Sequence, residues 1–305
     1  MNIDRKIIKS ANAQDVNADG SALERWQPVM DEYDHRMLKA YQQGYGYNKN
    51  DVNFKKTAIK MLNYVNIHQI NSIPFMTSVL KMGNDSLRNK YVLEFGCNTA
   101  ATAVALALEG AKVVGVDPDA IAIDIGNIRI KKYGLEDKIR LMYCKDCSKL
   151  KYIDETFDIV TCVSVFEYIK DVNRGKYITE LSRVLKKGGI LFILETSNGL
   201  YPIELHSKKW FINYFPRIMT NIFHAKFCTV GITYWQIRKY LDSFTYITNI
   251  EGYDQVEKFL ENKKNDLFSK IIAFMARGAG VLNSSHNNMP REAFLPWLNL
   301  AFRKQ

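Results

Sequence analysis

The sequence predicts an α/β protein built on a mostly parallel, doubly wound sheet, and three observations carry that prediction. First, Tyr91 to Asp119 reads YVLEFGCNTAATAVALALEGAKVVGVDPD. An apolar run ends in Glu94-Phe95-Gly96, a small-residue helical pattern spans Thr99 to Glu109, and a second apolar run ends at Asp117. A crossover of this length makes the two strands parallel and the βαβ unit right-handed, with a crevice beyond the strand ends. Second, apolar runs at Ile139 to Cys144, Asp158 to Val165 and Ile190 to Glu195 alternate with helical patterns. Third, 305 residues of 47% hydrophobic composition are ample for a large core.

The turn after the first strand decides what the crevice can hold. A dinucleotide pyrophosphate wants G-x-G-x-x-G, with bare backbone N–H groups facing phosphate oxygens. Here Gly96 is followed by Asn98 and Ala100 where further glycines would stand, and the Glu94 carboxylate at the strand tip repels a phosphate. A cationic ligand with no phosphate suits that rim better. Asp117 closes the second strand at the distance where a βαβ unit puts an acid beside a ribose.

VLEFGCNTA followed by VVGVDPD resembles the first two motifs of the class I S-adenosylmethionine-dependent methyltransferases of the small-molecule type. The family's usual G-x-G-x-G is here Gly96-Cys97-Asn98-Thr99-Ala100; Asn tolerates a left-handed backbone and Ala is small enough for close packing. KDCSKLKYIDETFDIV resembles the third motif, which places Asp146 and Cys147 at the adenine. LKKGGILFILE resembles the signature that opens the fifth strand. The resemblance covers roughly Tyr91 to Glu195. It implies a seven-stranded sheet with an antiparallel last strand, S-adenosylmethionine as cofactor and S-adenosylhomocysteine as product. The implied cofactor contacts are Glu94, Gly96, Cys97, Asn98, Thr99, Asp117, Pro118, Asp146, Cys147 and Val163.

The remaining chain is read around that core. Residues 1–20 are polar and form a loose lead-in. Leu23, Trp26, Val29, Met30, Tyr33, Met37, Leu38 and Tyr41 recur at helical spacing, Phe54 to Val65 repeats the pattern, and Pro74 to Lys81 follows. These helices form an N-terminal cap over 1–85 that either covers the cofactor, as in the family, or shields one side of the sheet. Residues 86–305 are the methyltransferase domain. Asp119 caps a helix to Tyr133 that Gly134 stops, and Arg174 to Leu185 is a helix followed by a Lys186-Lys187-Gly188-Gly189 turn. Thr233 caps a helix to Leu241, Phe244 to Ile250 is the sixth strand and Trp297 to Phe302 the last. Residues 252–295 make a helical excursion between those two strands, around the apolar Leu267 to Leu282.

Residues 196–232 overhang the crevice from the end of the fifth strand and are the expected substrate lid. GLYPIELH and the aromatic stretch after it weakly resemble enzymes that modify sugars or lipid-linked glycans. The fourth strand ends in Ser164-Val165-Phe166-Glu167-Tyr168, where many relatives have Glu-His, so a histidine is missing at that point. Methyl transfer from a sulfonium is an in-line displacement that needs alignment and no metal. A hydroxyl acceptor gains from a base, for which His206 is the first candidate and Glu167 and Tyr168 the next. The alternative for His206 is a polar loop residue. Oxygen methylation of a sugar, glycan or lipid-linked small molecule is the leading reading. Methylation of RNA or protein, and a degenerate domain that binds partners without catalysis, are the alternatives.

Forty-two Lys and Arg against 32 Asp and Glu give +10, which favours anionic partners, although nucleic acid is not expected without its motifs. Lys208, Lys209, Trp210, Phe211, Tyr214, Phe215 and Arg217 mix cations with aromatics, as peripheral membrane segments do and as a buried cluster also would. Five cysteines, an odd number with no signal-peptide pattern, suggest a reduced, cytoplasmic setting. Cys144-x-x-Cys147 lacks the second pair of a zinc site and reads as a strand end and its turn. No stretch has the ~18 uncharged apolar residues of a membrane span.

Overall fold

The computed structural model describes residues 30–47, 52–206, 210–214, 229–247, 250, 253–262, 270–272, 274–276, 278 and 290–305. The sheet has seven strands in the order β3-β2-β1-β4-β5-β7-β6, and the chain divides into two compact units.

The first unit comprises described residues up to Thr77 together with Ser86–Cys147. Its strands β1 (Tyr91–Phe95), β2 (Lys112–Asp117) and β3 (Ile139–Tyr143) are parallel, with Leu93 opposite Val114 and Gly115 opposite Leu141. Their buried, β-branched sequences are what a sheet covered on both faces requires. Helix α1 (Glu32–Tyr45) starts at a capping box in which Asp31 and Asp34 exchange backbone bonds, and it stops at Gly46 in the left-handed region. Its apolar face lays Met37 against Met61 of α2 (Val52–Ile70) and Ile125. Helix α3 spans Ser72–Lys81. The crossover helix α4 (Ala101–Leu108) is buried along almost its whole length, and α5 (Ala120–Tyr133) is capped by Asp119 and ended by Gly134, as its sequence predicts.

The second unit comprises Ser78–Asp85 and Ser148–Gln305. Strand β4 (Phe157–Val163) is parallel to β5 (Leu185–Ser197), and β7 (Trp297–Lys304) is antiparallel to both β5 and the short β6 (Phe244–Tyr246). Helix α6 (Asp171–Val184) joins β4 to β5, α7 (Tyr234–Arg238) opens on a Thr233 capping box, and α8 spans Gln255–Asn262. Several boundaries differ from the sequence reading. The Lys186–Gly189 segment, expected as a turn, lies within β5, where Gly188 takes φ +73 and the register against β4 slips between Phe157 and Ile159. Helix α6 begins three residues before Arg174, and β6 is less than half the length expected. Parts of the expected 252–295 excursion are described: Val256, Ile272 and Ala276 pack with Leu295 and with Tyr201 from the segment after β5, so the two segments share one apolar cluster. Most of Leu267 to Leu282, with Lys208, Lys209, Phe215, Arg217 and His224, lies outside the described residues.

Candidate active site

In the first unit the predicted cofactor residues gather at the carboxyl ends of β1, β2 and β3. Glu94 is 2% exposed in β1. Burial, opposed by bonds from the Thr102 side chain and the Ala103 N–H and reinforced by Asp117, pushes its carboxyl up to about 8. Its Oε2 is buried and has no hydrogen-bond partner among the described residues. The turn that follows adopts the backbone that glycines would give it: Gly96, Asn98 and Ala100 have φ of 75°, 45° and 60°. Ala100 in this region is strained by roughly 1–2 kcal/mol, and close packing holds it there. A Cβ on Gly126 of α5 would come within 3.1 Å of the Ala100 Cβ, and one on Gly115 of β2 would stand 2.8 Å from the Cys97 Cβ and Sγ.

Asp117 accepts from the Asn98 N–H at 2.8 Å and the Asp119 N–H at 2.9 Å. Its carboxylate therefore stabilises the turn as well as facing the crevice, and burial raises its pKa against those two bonds. A carboxylate offers about four acceptor positions, so two remain for ribose hydroxyls. Pro118 and Asp146 are exposed at this rim, while Cys147 is buried, its Sγ donating to the Cys144 carbonyl at 2.9 Å. That is the strand end and turn expected of this pair, and no cluster able to hold a metal occurs among the described residues.

Two residues of this half escaped the sequence reading. Arg129, 1% exposed on α5, donates from Nε to the Thr99 carbonyl at 2.8 Å and from Nη2 to the Met61 carbonyl at 2.9 Å and the Thr99 hydroxyl at 3.2 Å. It ties the turn to α2 and α5, and burial lowers its pKa to about 10. The signal was a cation next to the apolar face Ile121, Ile125 and Ile128. Tyr45, at the end of α1, donates to Asp119 Oδ2 at 2.6 Å, one residue pair away from Asp117. At its other end α1 is held by Lys132, paired with Asp34 and with Asp31 at 3.1 Å.

In the second unit Val163 ends β4, and a single 3-10 turn, Phe166–Tyr168, follows. Glu167 on that turn has a fully buried side chain, and His206 Nε2 lies 2.9 Å from its Oε1. The structure thus joins two of the predicted catalytic residues across 39 positions, and the histidine missing beside Glu167 in sequence returns from the segment after β5. Tyr168 is the third: its ring stands 5.6 Å from the imidazole, and the Trp297 ring meets it edge-on at 5.4 Å. With Nε2 donating to Glu167, Nδ1 is the nitrogen that can take a proton. Glu167 Oε2 has no hydrogen-bond partner among the described residues. Buried Arg174 braces the turn, bonding the Phe166 carbonyl at 3.3 Å and Asp171 at 2.8 Å. Neither role was foreseen: Trp297 acts from the last strand, and Arg174, on the helix that directly follows the turn, reads in sequence only as the start of that helix.

Residues 93–193 match the family model of a methyltransferase domain. The chain is 33% identical over 108 residues to a ubiquinone biosynthesis O-methyltransferase of Coxiella burnetii, covering 35% of this chain and 44% of that protein. It is 33% identical over 98 residues to a demethylmenaquinone methyltransferase of Bacteroides fragilis (32% and 39% covered) and 31% identical over 107 residues to a sterol 4-C-methyltransferase of Caenorhabditis elegans (35% and 31% covered). The chain spans less than half the length of these curated relatives. The residues present fit the family's cofactor: the buried, unpaired Glu94 Oε2 can pair with an ammonium, and Asp117 keeps acceptor positions for ribose hydroxyls beyond its two backbone bonds. Residues 93–193 of this chain therefore match a methyltransferase domain, and the acids at its turn suit S-adenosylmethionine.

Proposed function

We propose that the protein methylates a hydroxyl of a small, lipid-borne molecule, with His206 taking the acceptor's proton and Glu167 orienting the imidazole. When bound, S-adenosylmethionine supplies the methyl group on an already activated carbon and leaves as S-adenosylhomocysteine. Glu94 and Asp117, with the backbone of Gly96 to Thr99, hold it by its ammonium and ribose. Glu167, buried behind the ring, orients the tautomer that leaves Nδ1 to accept and stabilises the imidazolium formed when the proton arrives, as an acid behind a catalytic histidine does.

The observation that carries this reading is the His206–Glu167 pair at 2.9 Å. A base of this kind is worth roughly a hundredfold or more for a hydroxyl acceptor. The aromatic walls from Tyr168 and Trp297 suit an apolar acceptor, and the matched relatives are named for quinone and sterol chemistry. Of the sugar, glycan and lipid-linked classes that the sequence suggests, these features favour the lipid-linked one. Such an acceptor brings peripheral membrane contact with it, and the free cysteines suit a reduced, cytoplasmic setting.

The test is transfer of labelled methyl from S-adenosylmethionine to a panel of isoprenoid quinols, sterols, lipid-linked sugars and water-soluble phenols, with products identified by mass spectrometry. The reading expects an O-methyl product among the lipid-borne acceptors. Exclusive N- or C-methylation, or transfer confined to RNA or protein, would contradict it.

A further inference from the structure

The segment after β5 carries a feature that methyl transfer leaves unused. Trp210, Phe211 and Tyr214 are 62%, 52% and 55% exposed and adjoin one another, with ring centroids 5.8 Å and 6.2 Å apart. Scattered exposed apolar residues need no explanation, whereas an adjoining group of large ones marks an interaction surface.

The display is imposed by the chain. Phe211 has φ +58, a left-handed conformation that non-glycine residues rarely adopt and that persists only where surrounding bonds enforce it. Its N–H donates to the Pro202 carbonyl at 2.5 Å, and Trp210 forms a bridge with Ile203. Asn213 donates to the Tyr201 carbonyl at 2.8 Å and accepts from the Gly231 N–H at 2.9 Å, while the Tyr214 hydroxyl donates to the Leu200 carbonyl at 2.6 Å. Ile212 alone of this short run is turned into the core, at 4% exposure. The polar groups are consumed from behind and the rings are left facing out.

Charge identifies the occupant. In the sequence Lys208 and Lys209 directly precede Trp210, and Arg217 follows three residues after Tyr214, in a chain of net charge +10. Trp and Tyr prefer the headgroup level, and adjacent Lys and Arg are drawn to anionic lipids. We propose that the Trp210–Phe211–Tyr214 face docks on an anionic lipid bilayer. Both this face and His206 belong to the segment after β5, so docking there sets that segment where a lipid-borne acceptor would leave the bilayer. The proposal rests on the lipid-borne-acceptor reading for its purpose, and on the exposed rings and neighbouring cations for its chemistry.

The test is co-sedimentation of the whole chain, without cofactor or acceptor, with phosphatidylcholine vesicles that contain or lack phosphatidylglycerol. The expected result is partitioning that falls about tenfold when phosphatidylglycerol is omitted, and at least about tenfold in the Trp210→Ser, Phe211→Ser, Tyr214→Ser triple variant. Unchanged affinity for S-adenosylhomocysteine certifies that the variant is folded. Partitioning of the triple variant equal to wild type, or no binding of wild type to anionic vesicles, overturns the proposal. So does a wild-type dimer, by sedimentation velocity, that the substitutions dissociate without affecting lipid binding, since it would assign the face to a second copy. Methyl transfer to detergent-solubilised acceptors reads the activity separately, so either idea can fail alone.

Discussion

Asp117 and Glu167 are both buried acids at strand ends, but they are held in different ways. Asp117 is fixed by backbone N–H groups of Asn98 and Asp119, its near neighbours in a single βαβ unit. Glu167 is fixed through a side chain, His206, delivered from the far side of β5. The first arrangement forms as soon as the local chain folds. The second exists only while the segment after β5 is in place.

That difference predicts where each half breaks. The largest effect belongs to Arg129: Arg129→Met leaves the Thr99 and Met61 carbonyls without their donor and should cost about 1–3 kcal/mol of stability for each, by denaturant unfolding. It should also weaken S-adenosylhomocysteine binding, because the turn loses its tie to α5. Arg129→Lys should recover little, since one ammonium cannot span three acceptors. A variant with wild-type stability and affinity would show that the turn holds itself.

Glu94 gives the next effect. Its carboxyl is raised by burial from an ordinary 4.5 to about 8, so the folded state holds a proton that the unfolded chain has released. Its contribution is fully present below the unfolded pKa and lost as pH rises through the folded one, with a slope of up to about 1.4 kcal/mol per pH unit. Melting of the ligand-free protein should therefore show stability falling across that window, and Glu94→Gln should flatten the fall. A ligand ammonium at Glu94 would favour the charged acid, so S-adenosylhomocysteine binding near neutrality should release a proton, read from titrations in buffers of different ionisation heat. Identical melting profiles for the two proteins would remove Glu94 from this role.

These consequences show why one half was legible and the other was not. The βαβ turn, its acids, the Asp119 cap and the Gly134 stop all lie within Tyr91 to Gly134, where spacing and turn chemistry act over short range. Arg129, Tyr45 and Trp297 act through contacts that no local pattern encodes, and the His206–Glu167 pairing was guessable only as two separate candidates. The turn expected at Lys186–Gly189 is a break of another kind: the strand runs through it as a bulge, since the pairing with β4 passes from Leu185 to Ile190 and that with β7 begins at Ile190.

Smaller effects refine the comparison. Gly115→Ala places a Cβ 2.7 Å from Leu141 Cδ2 and 2.8 Å from Cys97, so about 1–3 kcal/mol of overpacking should appear, with reduced cofactor affinity and no change in the His206 half. Tyr45→Phe removes one hydroxyl from Asp119 and should cost about 1 kcal/mol or less, with a modest loss of S-adenosylhomocysteine affinity. A loss as large as that of Arg129→Met would mean that α1 contributes to the cofactor site far more than this one bond accounts for.

The most direct test of the account is a double-mutant cycle on His206 and Glu167, read as single-turnover methyl transfer to the best hydroxyl acceptor of the panel. If the two act as one base, His206→Gln lowers the rate by about a hundredfold, Glu167→Gln lowers it substantially, and the double variant is little worse than His206→Gln alone. S-adenosylhomocysteine affinity stays at the wild-type value throughout. Wild-type rates in His206→Gln, or losses that simply multiply, would contradict a base built from this pair.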